Sequence, residues 1–279
     1  MLIAQITDIH LGFDLSNPEE MNQKRLHRVL AALTDLQPQP DLVFATGDLV
    51  EHGDVESYQR LRAMLASLPF PVHYLMGNHD KRDSFQTVFP EAPSADGFIQ
   101  YAIEDYPLRC LILDTLDEGR HGGAFCERRA AWLSARLDEQ PDRPTLILLH
   151  HPPAAIGIDW MDPSDGEEWI ERLATTLHGR DNIVGLVSGH VHRAAVLAWQ
   201  GITLTVTPST APSIALNLTE VDPERPDDRP MIEAGEPGFA LHLWTGGRLV
   251  SHFAAPEAKT IARYTEGFQP LVREIYAGR

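Results

Sequence analysis

Five short clusters in this 279-residue chain carry side chains that bind metal ions: Asp8-Ile9-His10, Gly47-Asp48, Gly77-Asn78-His79-Asp80, His150-His151-Pro152 and Gly189-His190-Val191-His192. Their donors are carboxylate, imidazole and one amide, with no thiolate. Such a set suits Mn²⁺, Fe, Co²⁺, Zn²⁺ or Ni²⁺ and holds too much imidazole for calcium. Asp8, His10, Asp48, Asn78, His150, His190 and His192 are more donors than one ion accommodates. They read as two adjacent ions bridged by one carboxylate. Taken singly, Asp8 or Asn78 would be a turn or cap residue, and His10 or His150 a satisfied, partly buried histidine. An apolar strand has no structural reason to end in metal donors five times over, so the joint occurrence decides.

The elements that must position these donors are visible around them. Each cluster follows an apolar, β-branched run: Leu2 to Thr7, Asp41 to Thr46, Val72 to Met76, Thr145 to Leu149 and Ile183 to Val187. In α/β sheets functional groups gather at the carboxyl ends of the strands, which is where all five fall. Between the first two runs, Asn17-Pro18-Glu19-Glu20 predicts a capped helix start, and Leu26, Val29, Leu30, Leu33 and Leu36 recur with helical spacing up to Pro38. Asp54 predicts the cap of a second helix carrying Tyr58, Leu61 and Leu65. Strand, helix, strand, helix, strand is the order of parallel strands joined by crossovers. Further on, Gln100 to Glu104 and Leu108 to Leu113 predict hairpin strands, and helices are expected over Glu127 to Glu139 and from about Asp165 to Leu177. Ala195 to Thr207 and Phe239 to Phe253 read as hairpins turning at Gln200-Gly201 and Gly246-Gly247, so the second half is expected to be more antiparallel. Glu220 to Pro237, rich in proline and acids, reads as a loop, a lid or a subunit contact.

With 43% hydrophobic residues the chain can bury a full core. Its formal charge of −17 repels polyanions and argues against a duplex nucleic-acid partner, a nuclease included. A small anionic substrate remains compatible, because bound dications dominate the potential at short range. Cys110 and Cys126 lack metal or redox spacing and are expected to be structural. The start resembles no signal peptide and no apolar run suggests membrane insertion, so a cytoplasmic protein is expected. No phosphate-binding glycine loop and no serine nucleophile elbow is present.

The order D-x-H, GD, GNH[DE], H and GHxH, complete from Asp8 to His192, resembles the calcineurin-like metallophosphoesterases. Met76 to Asp80, and Leu149 to Pro153 followed by Met161-Asp162-Pro163, resemble more narrowly the bacterial branch of class III cyclic nucleotide phosphodiesterases and related glycerophosphodiesterases. The resemblance implies a four-layer α/β/β/α sandwich with mixed sheets. It implies a catalytic core over 1–210, an insert over 211–238 that could serve as a cap or oligomerisation segment, and completing strands plus a tail over 239–279. Homo-oligomers occur among the relatives it implies.

Carried over by position, it puts Asp8, His10 and His192 on one ion and Asn78, His150 and His190 on the other, with Asp48 bridging. The cofactors would be two divalent ions drawn from Mn, Fe, Zn or Co. Ions roughly 3.5–4 Å apart would let metal-bound hydroxide attack the phosphorus of a small phosphodiester, 3',5'-cyclic nucleotides first and glycerophosphodiesters as the alternative. A phosphomonoesterase or a non-catalytic scaffold is the more distant alternative. Beside Asn78, His79 is expected to bind a phosphoryl oxygen or protonate the leaving alkoxide, with Asp80 orienting it. His151 is expected to support or pack against the ligands. His27, His52, His73, His121, His178, His242 and His252 lie outside the clusters and read as surface or packing residues.

Overall fold

The computed structural model describes residues 1–17, 19–258 and 260–278. β1 (Leu2–Ile6) pairs in parallel with β2 (Leu42–Thr46), and β2 with β3 (Val72–Leu75), through the crossovers α1 (Met21–Asp35) and α2 (Val55–Leu65). A hairpin of β12 (Phe239–Thr245) and β13 (Arg248–Ala254) joins the other side of β1 antiparallel, giving the order β13-β12-β1-β2-β3. The second sheet has six strands: β4 (Tyr101–Ile103), β5 (Arg109–Ile112), β6 (Thr145–Leu148), β7 (Ile183–Ser188), β8 (Ala195–Trp199) and β9 (Ile202–Val206). Their order is β4-β5-β6-β7-β9-β8.

Alternation along the strands explains the layers. On β6, Leu146 and Leu148 pack with Ile3, Val43 and Val187 in the core shared by both sheets, while Ile147 and its successor Leu149 pack with Leu133 and Leu137 of α4 (Glu127–Glu139) and Leu173 of α5 (Glu168–Leu177). Leu26, Val29, Leu30 and Leu33 of α1 join the core on the first sheet's side, as do Tyr58, Leu61 and Leu65 of α2. The result is the expected four-layer α/β/β/α sandwich. Among the described residues, no helix is long and apolar enough to cross a membrane.

Several local expectations shift. Pro18 lies outside the described residues, and α1 starts at Met21 with Glu20 at the cap position. Glu20 turns its carboxylate back to accept from the backbone N–H of Gly12 (2.8 Å) and Asp14 (3.1 Å), and Asn17 Oδ1 accepts from Glu19 N, so this stretch is spent on the preceding loop. Asp54 caps α2 as expected, accepting from Ser57 N at 2.9 Å. α5 begins at Glu168, because Asp162 and Glu167 hold the preceding turns through Ile156 N, Gly157 N and Ser164 N. The second half is more antiparallel, as expected, with both hairpins formed, although β9 also runs parallel to β7. Elements with no sequence forecast are α3 (Arg82–Val88), the short pair β10 (Ser213–Ile214) and β11 (Ile232–Glu233), and α6 (Gln269–Ala277), which buries no residue.

The two sheets are also tied by a buried polar hub. Gln5 on β1 donates from Nε2 to Thr46 Oγ1 (2.8 Å) and the Ser188 carbonyl (3.1 Å). Its Oε1 accepts from Thr207 Oγ1 (2.7 Å) and from His242 Nε2 (2.9 Å), and Ser251 Oγ lies 2.7 Å from His242 Nδ1. Gln5 Oε1 can only accept, so His242 carries a proton on Nε2. Burial pushes this imidazole down to about 4. The folded state therefore resists protonation that the unfolded chain accepts, and the stability present above pH ~6.5 is lost as the pH falls toward ~4. Urea unfolding of the metal-free protein at pH 7.5 and 5 should show this group costing about 2 kcal/mol across that interval. His242→Gln should flatten the acid-side loss by that amount; an identical pH slope in the variant would show that His242 does not titrate on unfolding.

Candidate metal centre

The five clusters meet at one edge of the sandwich, where the ends of β1, β2 and β3 face those of β6 and β7. Backbone bonds lace the tips together: Ile9 N and His10 N donate to the Asp48 carbonyl at 2.8 and 2.9 Å, and Gly189 N donates to the His150 carbonyl at 3.0 Å. Asp8, His10, Asp48, His190 and His192 all take left-handed backbone angles, with φ between 47° and 72°. Asp and His tolerate this region better than most residues, yet each still costs about 1 kcal/mol. The strain turns their side chains toward a common point. Gly47 is left-handed as well, with φ of 89°, and a Cβ there would run into His150 Nδ1 and Gly77 N. Gly77 is constrained by crowding, since its Cβ would meet Asp48.

Hydrogen bonds on the far side of three rings aim the near nitrogens inward. His150 Nδ1 donates to the Thr46 carbonyl (2.8 Å), His192 Nδ1 to the Pro212 carbonyl (2.7 Å), and His10 Nδ1 lies 2.7 Å from Glu51 Oε2. His150 Nε2 is thereby left buried without a hydrogen-bond partner, 3.3 Å from Asp48 Oδ2 and 3.9 Å from Asp8 Oδ1. His192 Nε2 lies 3.4 Å from Asp8 Oδ1 and 3.1 Å from His10 Nε2, and the latter is 3.6 Å from Asp48 Oδ2. His190 Nδ1 and Asn78 Oδ1 are 3.0 Å apart, and the His150 and His190 rings are separated by 5.3 Å. All seven expected donors are therefore brought together. Six of them fall into two neighbouring clusters, Asp8, His10, Asp48 and His192 against His150 and His190, the latter joined by His151, each with ligand atoms within 4.8 Å of one another, and Asn78 adjoins the second through His190. An orphaned imidazole nitrogen facing carboxylates, and two imidazole nitrogens facing each other, are what a bound cation satisfies. The arrangement fits a pair of divalent ions.

The charges agree. Burial disfavours ionisation of Asp48, but His150 and His10 outweigh it and hold the carboxyl well below its ordinary range. Burial pushes the His150 imidazole down, and the Asp48 carboxylate overcomes it and lifts it to about 9. His190 and His151, buried beside other imidazoles, are held well below the ordinary histidine value and are neutral.

His79 lines the same cavity. Its backbone N–H donates to Asp48 Oδ1 (2.8 Å) and its Nδ1 to the Glu51 carbonyl (2.9 Å). The expected link from Asp80 to His79 is not made. Asp80 Oδ2 accepts from Gly77 N (2.9 Å) and Leu49 N (3.3 Å), and its Oδ1 from Tyr58 Oη (2.8 Å), so the carboxylate clamps the β2 and β3 tips to α2. Burial, then the nearby Asp48 charge, raises its carboxyl to about 6. His151 Nδ1 lies 2.8 Å from Thr115 Oγ1, on the flank of the ligands.

Two residues of the site escape sequence reasoning. Glu51 accepts from His10, and His121, expected at the surface or in packing, lies against His190 with ring centroids 4.7 Å apart and Nδ1 3.5 Å from Asn78 Nδ2. The only hint at His121 is the glycine-rich loop Gly119 to Gly123 that delivers it.

Two back-to-back mixed sheets with oxygen and nitrogen donors converging from five strand ends define a metal-dependent hydrolase. Residues 1–194 match the model of the Calcineurin-like phosphoesterase family, and the chain belongs to that family. A protein of Arcobacter nitrofigilis named probable glycerophosphodiester phosphodiesterase GpdQ is 31% identical over 250 residues, covering 88% of this chain and 89% of that protein. The 3',5'-cyclic adenosine monophosphate phosphodiesterase CpdA of Escherichia coli K12 is 32% identical over 211 residues, 75% of each chain. A dimetal phosphatase from Danio rerio shares the fold with a TM-score of 0.68 at 15% identity, covering 92% of this chain and 96% of its own.

The clamp role of Asp80 is open to measurement. Asp80→Asn places an amide where two backbone donors and a hydroxyl converge, and should lower the unfolding free energy by about 2 kcal/mol in urea titrations. With metal saturating, kcat should fall less than tenfold. A hundredfold loss at unchanged stability would instead put Asp80 in the proton-transfer chain.

Proposed function

We propose that the protein is a phosphodiesterase of small diesters, with 3',5'-cyclic nucleotides as the leading substrate class. The observation that carries this reading is a cavity of about 570 Å³ opening onto His10, Asp48, Asn78, His79 and His190. Phe13, Met21, Trp160, Met161, Pro212 and Ile214 form apolar and aromatic walls, and among the described residues no lysine or arginine lines it. Asp14 and Glu51 are its carboxylates besides Asp48 and Glu20. A diester brings one negative charge to such a site, and a monoester brings up to two with no side-chain cation to meet the second. A flat base finds apolar walls of suitable size. A second reading, glycerophosphodiesters, is favoured by the longer match: the glycerophosphodiester phosphodiesterase relative aligns with 88% of the chain, the cyclic-AMP phosphodiesterase with 75%.

In this reading Asp8, His10 and His192 hold one ion, Asn78, His150 and His190 the other, and Asp48 serves both. Bound there, the ions supply Lewis acidity at the phosphoryl group and an activated water. Thr46, Pro212 and Glu51 fix the ligand tautomers. With Nδ1 held by the Glu51 carbonyl, His79 has Nε2 available to bind a phosphoryl oxygen or pass a proton to the leaving alkoxide. Residues 1–210 form the catalytic core, 211–238 an insert contributing Ile214 and Ile232 to the cavity, and 239–279 the closing strands and tail. Two unpaired cysteines, Cys110 and Cys126, suit a cytoplasmic protein.

Asp48→Ala and Asn78→Ala should each abolish metal-dependent hydrolysis of bis(p-nitrophenyl) phosphate while retaining the wild-type circular dichroism spectrum. Full activity in either purified variant would sink the site. His79→Ala should keep its metal content by elemental analysis and lose about 10²- to 10³-fold in kcat. For substrate class, cyclic AMP and glycerophosphocholine compared by kcat/KM decide between the two readings. A preference for p-nitrophenyl phosphate over the aryl diester would contradict both.

A further inference from the structure

Arg25 lies on α1, is only 6% exposed, and among the described residues makes no hydrogen bond to a carboxylate. Its guanidinium donates to three backbone carbonyls: Nε to Thr210 (2.7 Å), Nη1 to Gly235 (2.6 Å) and Nη2 to Ala211 (3.1 Å). The segment it grips leads directly to Pro212, whose carbonyl accepts the proton of His192 Nδ1. Pro212 has no N–H of its own, so the placement of its carbonyl depends on the residues before it. Those residues also touch the other cluster members: Thr210 N and Ala211 N donate to the carbonyls of Thr7 and Asp8, both at 2.9 Å. Three residues earlier on the same helix, Asn22 Nδ2 donates to the carbonyl of His10 at 2.8 Å. One helix face thus supports the backbone of Asp8 and His10 and the acceptor of His192. Of the contacts that hold the other donors, Thr46 to His150 and Asn78 to His190 do not involve α1, while His190 N links to the first group by donating to the Asp8 carboxylate at 3.0 Å.

We propose that Arg25 is a positioning residue for one of the two ions, the one held by Asp8, His10 and His192, and not for the other. The inference rests on the dinuclear reading of the site. A planar fork that serves three carbonyls at once fits this task, and a lysine at the same place offers a point charge without the fork.

The test titrates metal-free protein with Mn²⁺ by calorimetry, and follows the spin-coupled pair by electron paramagnetic resonance. Wild type should bind two ions. In Arg25→Ala one site should weaken by tenfold or more, the range seen when groups behind a ligand are removed. The second site should stay within about threefold, and the coupled signal should be lost at sub-saturating metal. Arg25→Lys should fall between. Arg28→Ala, which breaks exposed ion pairs to Glu236 and Glu257 one turn on, should match wild type. Two unchanged sites in Arg25→Ala, or equal weakening of both with a lowered melting temperature, would overturn the proposal. Should Arg25→Ala not fold, hydrogen exchange on the wild type decides: Mn²⁺ must slow the Thr210 and Ala211 amides, and unchanged exchange there refutes the coupling. Fewer than two ions on wild type would refute the dinuclear reading itself, which separates the two failures.

Discussion

The architecture depends on burying two carboxylates, Asp8 and Asp48, at 0% and 2% exposure, within a nest of imidazoles where two sheets meet. An isolated buried carboxylate is very costly, so the site must supply positive charge from somewhere. The same need is why the Asp48 carboxylate lifts the His150 imidazole against burial. A divalent ion would supply that charge and would also meet the lone pair of His150 Nε2. Many otherwise odd features follow from the same need: left-handed turns at five donor positions, a glycine where a Cβ would strike an imidazole, and carbonyl acceptors behind the rings. Each is a local expense that makes sense only around shared cations.

Much of the fold was legible because its rules are local. Apolar, β-branched runs on the buried strands, a helical stripe on α1, the Asp54 cap and glycine turns at 200–201 and 246–247 all act within a few residues. What was not legible depends on distant partners. Nothing near Ile202 to Val206 tells that β9 lies parallel beside β7, with the hairpin partner β8 outside it. Nor does the Asn17 to Glu20 stretch reveal that Glu20 is committed to the Gly12 and Asp14 amides, which delays α1 to Met21.

The candidate site divides in the same way. Its donors could be found because they travel as short words after apolar strands, and their chemistry is set by residue type. The groups that hold them could not. Glu51 looks like a loop acid, His121 like a loop histidine, and Arg25 like a surface cation just ahead of the helix's apolar stripe. Their roles exist only through contacts across tens to hundreds of positions. Adjacency misled at Asp80: sitting beside His79 suggested a shared proton, whereas a tight turn sends its carboxylate to Gly77, Leu49 and Tyr58 instead.

The pairing of β1 with β2 on one side and β12 on the other has a consequence for how the protein is made. β1 is synthesised well before its antiparallel neighbour, which follows more than 230 residues later. Until then one edge of β1 is an unpaired row of amides and carbonyls beside an apolar face, the kind of edge on which chains cross-pair. Gln5 also waits for Thr207 and His242 before its side-chain carbonyl is satisfied. Nascent chains lacking residues beyond 238 would thus carry every expected metal donor and still lack two of the first sheet's five strands.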